Sequence, residues 1–229
     1  DLLKGIATAF RERRSEIEQQ AQQMTEHLHA SNAFGLQKPG PLAELLSPDK
    51  ILHAYEQIMT SADTVWGGFG NAPKFPQTFA IQFLLRFFSV AQNLFGAEFQ
   101  EKRSAALNQA LLSLDKMIDG GIYDQVGGGF ARYSTDKEWL APHFEKMLYD
   151  NALLVDVLSE AYQLTGIEKY RQTIEETMQF IGREMLEDGQ AFYSALDADS
   201  EGEEGKYYVW NEEEIKQVLG TDAAIFSQY

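Results

Sequence analysis

The chain has 229 residues, 44% of them hydrophobic and none of them cysteine, which is enough for one sizeable core and excludes disulfides, thiol nucleophiles and Cys-ligated zinc. Its formal net charge of -16 repels phosphate backbones and anionic lipid, so neither nucleic acid nor a membrane is an expected partner. A reducing cytoplasm is the default compartment. The start, Asp1-Leu2-Leu3-Lys4-Gly5, carries no signal pattern, and both ends look cut from a longer protein.

Apolar residues at Leu3, Ile6, Phe10, Ile17, Ala21, Met24 and Leu28 recur at three- and four-residue steps, which predicts one long amphipathic helix ending near residues 32–35. A second helix opens at Ser47-Pro48 and buries Ile51, Leu52, Tyr55 and Ile58. The third, from about Pro76 to Leu94, is apolar on nearly every side; Gln82 and Arg86 interrupt it, and it is too short to span a bilayer. The fourth, from about Phe99 to Ile118, keeps only a stripe of Leu107, Ala110, Leu111, Leu114 and Met117. The fifth, from about Phe144 to Leu164, is again apolar almost all round, and the sixth, from about Glu168 to Leu186, is again one-sided. A last helix begins at Asn211, with Glu214 at the capping-box position, and ends at Gly220.

Alternation between enclosed and half-exposed helices is what a two-layer ring of helical hairpins requires. The fold expected is therefore all-α, an α/α toroid, with short β-hairpins in the loops of one face. Turns from inner to outer helices are tight, whereas the opposite connections are long, so the long loops gather on one face. About seven helices are present and a closed ring needs about twelve, so the toroid is incomplete here. The first helix is too polar for the ring interior and reads as a lead-in. The division expected is residues 1–35 as that lead-in and residues 36–229 as the first part of the toroid.

The three long loops carry the strings WGGFGNAPKFP from Trp66, GGIYDQVGGGFARYSTDKEWLAPHFEKMLYDNALL from Gly120, and DGQAFYSALDADSEGEEGKYYVW from Asp188. In this order and spacing they resemble the spermatogenesis-associated, thioredoxin-domain protein family, whose helical part is similar to the six-hairpin glycosidases and the N-acylglucosamine 2-epimerases. The resemblance covers nearly the whole chain, since the opening LLKGIATAFRERRSEIEQQA looks like the helix that follows the family's thioredoxin-like domain. It implies a toroid covalently attached to a thioredoxin-like domain outside this sequence, and it implies no defined reaction.

The densest cluster of acids, glycines and aromatic residues lies at 120–151. The candidate acid/base residues are Asp124, His143, Glu145, Asp150, Asp197 and Asp199, because carboxylates and a near-neutral histidine move protons. If residues 143–150 are helical, His143 and Asp150 share one face with Lys146. Candidate ligand-binding residues are Trp66, Phe69, Lys74, Tyr123, Phe130, Tyr133, Trp139, Lys146, Asn151 and Tyr193, a set of flat faces and polar groups suited to a sugar-like ligand. Each has a structural alternative: His143 and Glu145 as helix caps, Asp150 as a loop anchor, Lys74 in a salt bridge with an acid of the second loop. The run Asp197-Ala198-Asp199-Ser200-Glu201-Gly202 begins like a calcium loop, but Tyr208 at its twelfth position lacks the bidentate carboxylate. It reads as a solvated acidic turn or a cleft carboxylate, next to a short strand at 206–210 expected to pair near residues 191–193. No metal or cofactor motif is present.

Three functions fit these residues: a carbohydrate-active domain that hydrolyses or isomerises a sugar, a non-catalytic module serving the thioredoxin-like domain in redox or protein-quality work, and loops that merely close the ring. A single His in the loops weighs against a two-histidine epimerase. An incomplete ring leaves apolar faces open, so self-association of the chain is expected.

Overall fold

The computed structural model describes residues 2–32 and 47–227, in two compact units, Asp1–Ile51 and Leu52–Tyr229. In the first, α1 (Leu2–Glu12) and α2 (Arg14–Asn32) replace the single helix expected. The chain bends at Arg13, although the Arg13 N–H still donates to the Ala9 carbonyl and the Ile17 N–H to Arg13. No apolar residue lies between Phe10 and Ile17, so nothing holds a continuous stripe there. The expected end at 33–35 falls outside the described residues. Helix α3 (Pro48–Thr60) starts where Ser47-Pro48 places it.

In the second unit, α4 (Thr78–Phe95) begins two residues after Pro76, because Gln77 sits in the left-handed region at φ 45°. A turn at Ala97–Phe99 leads into α5 (Gln100–Ile118). Helix α6 (Leu148–Thr165) turns back through Gly166 into α7 (Glu168–Phe180). Helix α4 packs against both α5 and α6, and α6 against α7, giving two helical hairpins joined through α4 and α6. Ile81, Leu84, Leu85 and Phe87 of α4, Ala110, Leu114 and Met117 of α5, and Leu154, Val157 and Leu158 of α6 form the buried contact. Each large side chain there contributes about 1.5–3 kcal/mol of transfer free energy. The helices read as apolar all round are covered on one side only, with Phe79 71% exposed on α4 and Tyr149 48% exposed on α6.

The fifth helix starts at Leu148 and not near Phe144, because the preceding residues are extended. Strand β1 (Tyr133–Ser134) pairs antiparallel with β2 (Pro142–His143), and β3 (Lys146–Met147) with β6 (Ala195–Leu196). Helix α7 does not run to Leu186 but ends in a π turn, Ile181–Met185. Strand β4 (Leu186–Glu187) then pairs with β5 (Ala191–Phe192) around a tight turn at Asp188 and Gly189. That local hairpin takes the partner expected for residues 206–210, of which 206–208 form a turn and none is a strand. Strand β7 (Asp199–Ser200) pairs with β8 (Glu203–Glu204). Helix α8 (Glu212–Leu219) has the expected capping box of Asn211 and Glu214, and α9 (Ala223–Phe226) follows.

Candidate functional site

The first two long loops contain the same buckle. In the first, Asp63 Oδ1 accepts the N–H groups of Val65 and Trp66, and Oδ2 takes the Lys74 ammonium at 2.7 Å. In the second, Asp124 Oδ1 accepts from Val126 and Gly127, and Oδ2 takes Lys146 at 2.8 Å. The Asp63 N–H donates to the Gly68 carbonyl as that of Asp124 does to Gly129, and Lys74 reaches the Gly67 carbonyl as Lys146 reaches Gly128. Burial disfavours both carboxylates, but their lysine and backbone donors outweigh it and hold both pKa values below the ordinary range. Gly67 and Gly128 have φ of 66° and 76°, and each lies against a helix backbone, where a Cβ would come 2.7 Å from Ser113 Cα or from the Glu176 carbonyl oxygen.

The shared sequence is Asp-x-Val-x-Gly-Gly-Phe, beginning at Asp63 and again at Asp124. Sequence reading missed this repeat, because Lys74 follows its motif closely whereas Lys146 comes after the intervening β1–β2 hairpin. Lys74 is fully buried and pairs with an acid of its own loop, not of the second, which supplies the Lys137 carbonyl and the Trp139 ring to its ammonium. Phe69, Phe130 and Trp139, expected as cleft faces, are packed to 2% exposure or less. Tyr123 is 4% exposed and donates to Glu176. Trp139 donates from its indole N–H to the carbonyl of Trp66, whose ring lies 5.0 Å from the Lys116 ammonium. Asn151 is buried as a clamp, bonded to both backbone groups of Phe130 and to the Met147 carbonyl.

Because residues 142–147 are extended, alternate side chains leave on opposite faces. Pro142, Phe144 and Lys146 line a cavity of about 190 Å³ with Asp124 and Tyr208. His143 and Glu145 belong to the other set. The His143 ring stacks on Tyr133 at 4.8 Å, and Tyr133 packs in turn against Phe75. Glu145 accepts from Arg132 at 2.9 Å, and Glu204 of β8 approaches His143 Nε2 at 3.5 Å. Asp150 opens α6 beside Arg132 and Tyr149. Burial raises its pKa to about 6 against the opposing pull of Arg132 and Tyr149. His143 and Glu145 thus lie before the helix, and the helical face expected for residues 143–150 does not form.

Four side-chain atoms among the described residues are buried without a hydrogen-bonding partner, and three are in this cluster: Arg132 Nε, His143 Nδ1 and Asp150 Oδ2. Such atoms cost about 1–3 kcal/mol each unless something satisfies them. Arg132, Tyr149 and Glu204 had no signal in the sequence; only tertiary placement brings them to His143 and Asp150. Asp197 and Asp199 make no side-chain hydrogen bond to these residues, although Leu196 pairs with Lys146 and Asp199 with Glu204. Both are exposed, and Asp197 accepts the Asp199 N–H in a local turn. Tyr193 is also exposed. Among the described residues no group of three or more His, Asp or Glu side chains is arranged to share a metal ion, and no helix is long and apolar enough to cross a membrane.

The fold defines the class first. It is similar to the cellobiose 2-epimerase of Bacillus thermoamylovorans, with a TM-score of 0.50 and 16% identity over 65% of this chain and 40% of that one. A sugar epimerase from a ruminal bacterium gives a TM-score of 0.49 with 18% identity, over 67% of this chain and 43% of the other. The chain has the α/α toroid fold of the Bacillus enzyme over the part it matches. No family model matches it. In sequence it is 41% identical to human spermatogenesis-associated protein 20 over 171 residues, and 34% identical to the Rattus norvegicus protein over 227 residues. These matches cover 72% and 95% of this chain but 21% and 27% of the relatives. The chain is a homologue of one segment, about a fifth to a quarter, of spermatogenesis-associated protein 20.

Proposed function

We propose that the Arg132–His143–Asp150 cluster is an acid/base site for a sugar-like ligand and that it isomerises or epimerises rather than hydrolyses. The carrying observation is that three buried, unpartnered polar atoms belong to the β1–β2 hairpin and the start of α6, where Arg132 acts on Asp150. Arg132 Nε can only donate, so it requires a ligand oxygen; Asp150 Oδ2 accepts a proton when ionised and donates one when neutral; His143 Nδ1 does either. That set matches a hydroxyl next to a carbonyl. With its pKa raised to about 6, Asp150 takes the proton from the carbon beside the carbonyl, and Arg132 stabilises the charge that develops on the oxygen. Glycoside hydrolysis needs two free carboxylates about 5–9 Å apart. Here Glu145 is held by Arg132, and Asp197 and Asp199 are exposed, with Asp197 turned to the Asp199 N–H. The epimerase-like fold supports the reading, since the named neighbours act on sugars.

In the whole protein, we propose, this domain follows a thioredoxin-like domain, a reading supported by the family resemblance of residues 2–21, with the cytoplasm as the default compartment. A binding-only role is the second reading, favoured by the structural use of Asp124, Lys74 and Lys146. The test is deuterium exchange at C2 of aldoses and N-acyl aldosamines in D2O with the full-length protein, alongside calorimetric titration. Exchange that falls at least 100-fold in Asp150→Asn supports catalysis. Sugar binding without exchange leaves a binding-only role, and neither heat nor exchange at millimolar sugar defeats the sugar reading.

A further inference from the structure

The two buckles differ in how many oxygens surround the lysine. Lys74 has three oxygen partners, Asp63, Gly67 and the Lys137 carbonyl at 2.9 Å, which use all three ammonium protons. Lys146 has two, Asp124 and Gly128. Its third proton has no oxygen among the described residues, and the ammonium lies 4.4 Å from the Phe180 ring centre and 5.1 Å from that of Tyr208. The position that Lys137 fills in the first copy has no counterpart in the second, which instead borders the cavity of about 190 Å³. Lys146 is 3% exposed, so the open donor is a built feature of the interior. The rest of the lining is apolar or aromatic, with Ile122, Ala131, Pro142 and the stacked rings of Phe144 and Tyr208, and Gln125 and Gly121 at the exposed rim.

We propose that this cavity is a second ligand site, apart from the Arg132–His143–Asp150 cluster, for a small uncharged molecule that offers a carbonyl or hydroxyl oxygen to Lys146 and an apolar edge to Phe144 and Tyr208. Charge selects against ions. Asp124 already neutralises Lys146, Arg183 and Glu184 pair with each other, and Glu176 at the Tyr123 hydroxyl leaves the surroundings negative. A cation meets the ammonium, and an anion enters without a free counter-charge at a cost its oxygen contact does not return. A neutral acceptor replaces the missing Lys137 carbonyl and completes the buckle as in the first copy. The two faces of the 142–147 segment then carry two different sites.

The test uses full-length protein with a fluorinated tyrosine at position 208 alone, titrated with N-methylacetamide and, separately, with acetate, and followed by fluorine NMR. Saturable shifts with N-methylacetamide at millimolar concentration are expected, at least tenfold weaker with acetate. They are expected to vanish in Ala131→Leu, which fills the cavity, and to persist unchanged in Asp150→Asn, so that failure of the sugar reading leaves this result standing. Gln125→Trp, which covers the exposed rim, provides the same block if the melting curve of Ala131→Leu shows a disturbed fold. A non-saturating shift, equal binding of acetate, or a shift surviving in folded blocked variants overturns the proposal.

Discussion

Deleting the ammonium of Lys74 strands three oxygens, one of them the carboxylate of Asp63, whereas deleting that of Lys146 strands two. Breaking a buried ion pair costs about 3–5 kcal/mol, and one further unsatisfied carbonyl adds about 1–2 kcal/mol. Lys74→Met is therefore expected to lower stability by more than Lys146→Met, by that difference, in urea midpoints at constant slope. Asp150 acts through pH. Its folded pKa of about 6 lies above the ordinary 3.8, so the folded state holds the proton more tightly. The corresponding stability is complete below the unfolded value and is lost as pH rises through about 6. Asp150→Asn should remove this loss, raising stability at pH 7 relative to the parent by on the order of 2 kcal/mol, as measured by denaturation at pH 4 and pH 7. Lys74 and Asp150 were both legible as residues of interest. Their partners were not, because Lys137 and Arg132 meet them only through the folded loops.

At the scale of elements, the Gly-Gly pairs seat each loop on a helix. A methyl group at Gly67 meets the α5 backbone at 2.7 Å in a left-handed conformation, whereas at Gly70, with φ of 77°, it meets open space. Gly67→Ala should cost at least about 2 kcal/mol and Gly70→Ala about 1 kcal/mol, compared by thermal melts. Asn211→Ala removes the side-chain acceptor for the Glu213 and Glu214 N–H groups and should cost about 1 kcal/mol, seen as faster amide exchange confined to α8. Helices α4, α5, α7 and α8 were legible because period and capping are local. The segment 143–147 was misread because its apolar and polar residues fit either period over so short a run. Pairing with Ala195 and Leu196, about fifty residues away, selects the extended form.

For the molecule as a whole, apolar surface is left open in several places among the described residues, two of them in the second unit. Val126, Trp210, Val218 and Phe226 line one groove, each more than half exposed, and Phe79, Val90 and Leu94 stand out from α4. The 229-residue chain on its own should associate with rising concentration in light scattering, and Val218→Glu should reduce the association. The sequence by itself determined the helical frame, the parity of its long loops and the resemblance to the sugar-epimerase-like toroids, because side-chain periodicity and turn residues act over a few positions. Tertiary structure alone decided which loop residues were structural and which were left unpaired. Burial and hydrogen bonding between Lys74 and Lys137, Trp139 and Trp66, or Arg132 and Glu145 depend on where distant segments meet, and residue type does not carry that information.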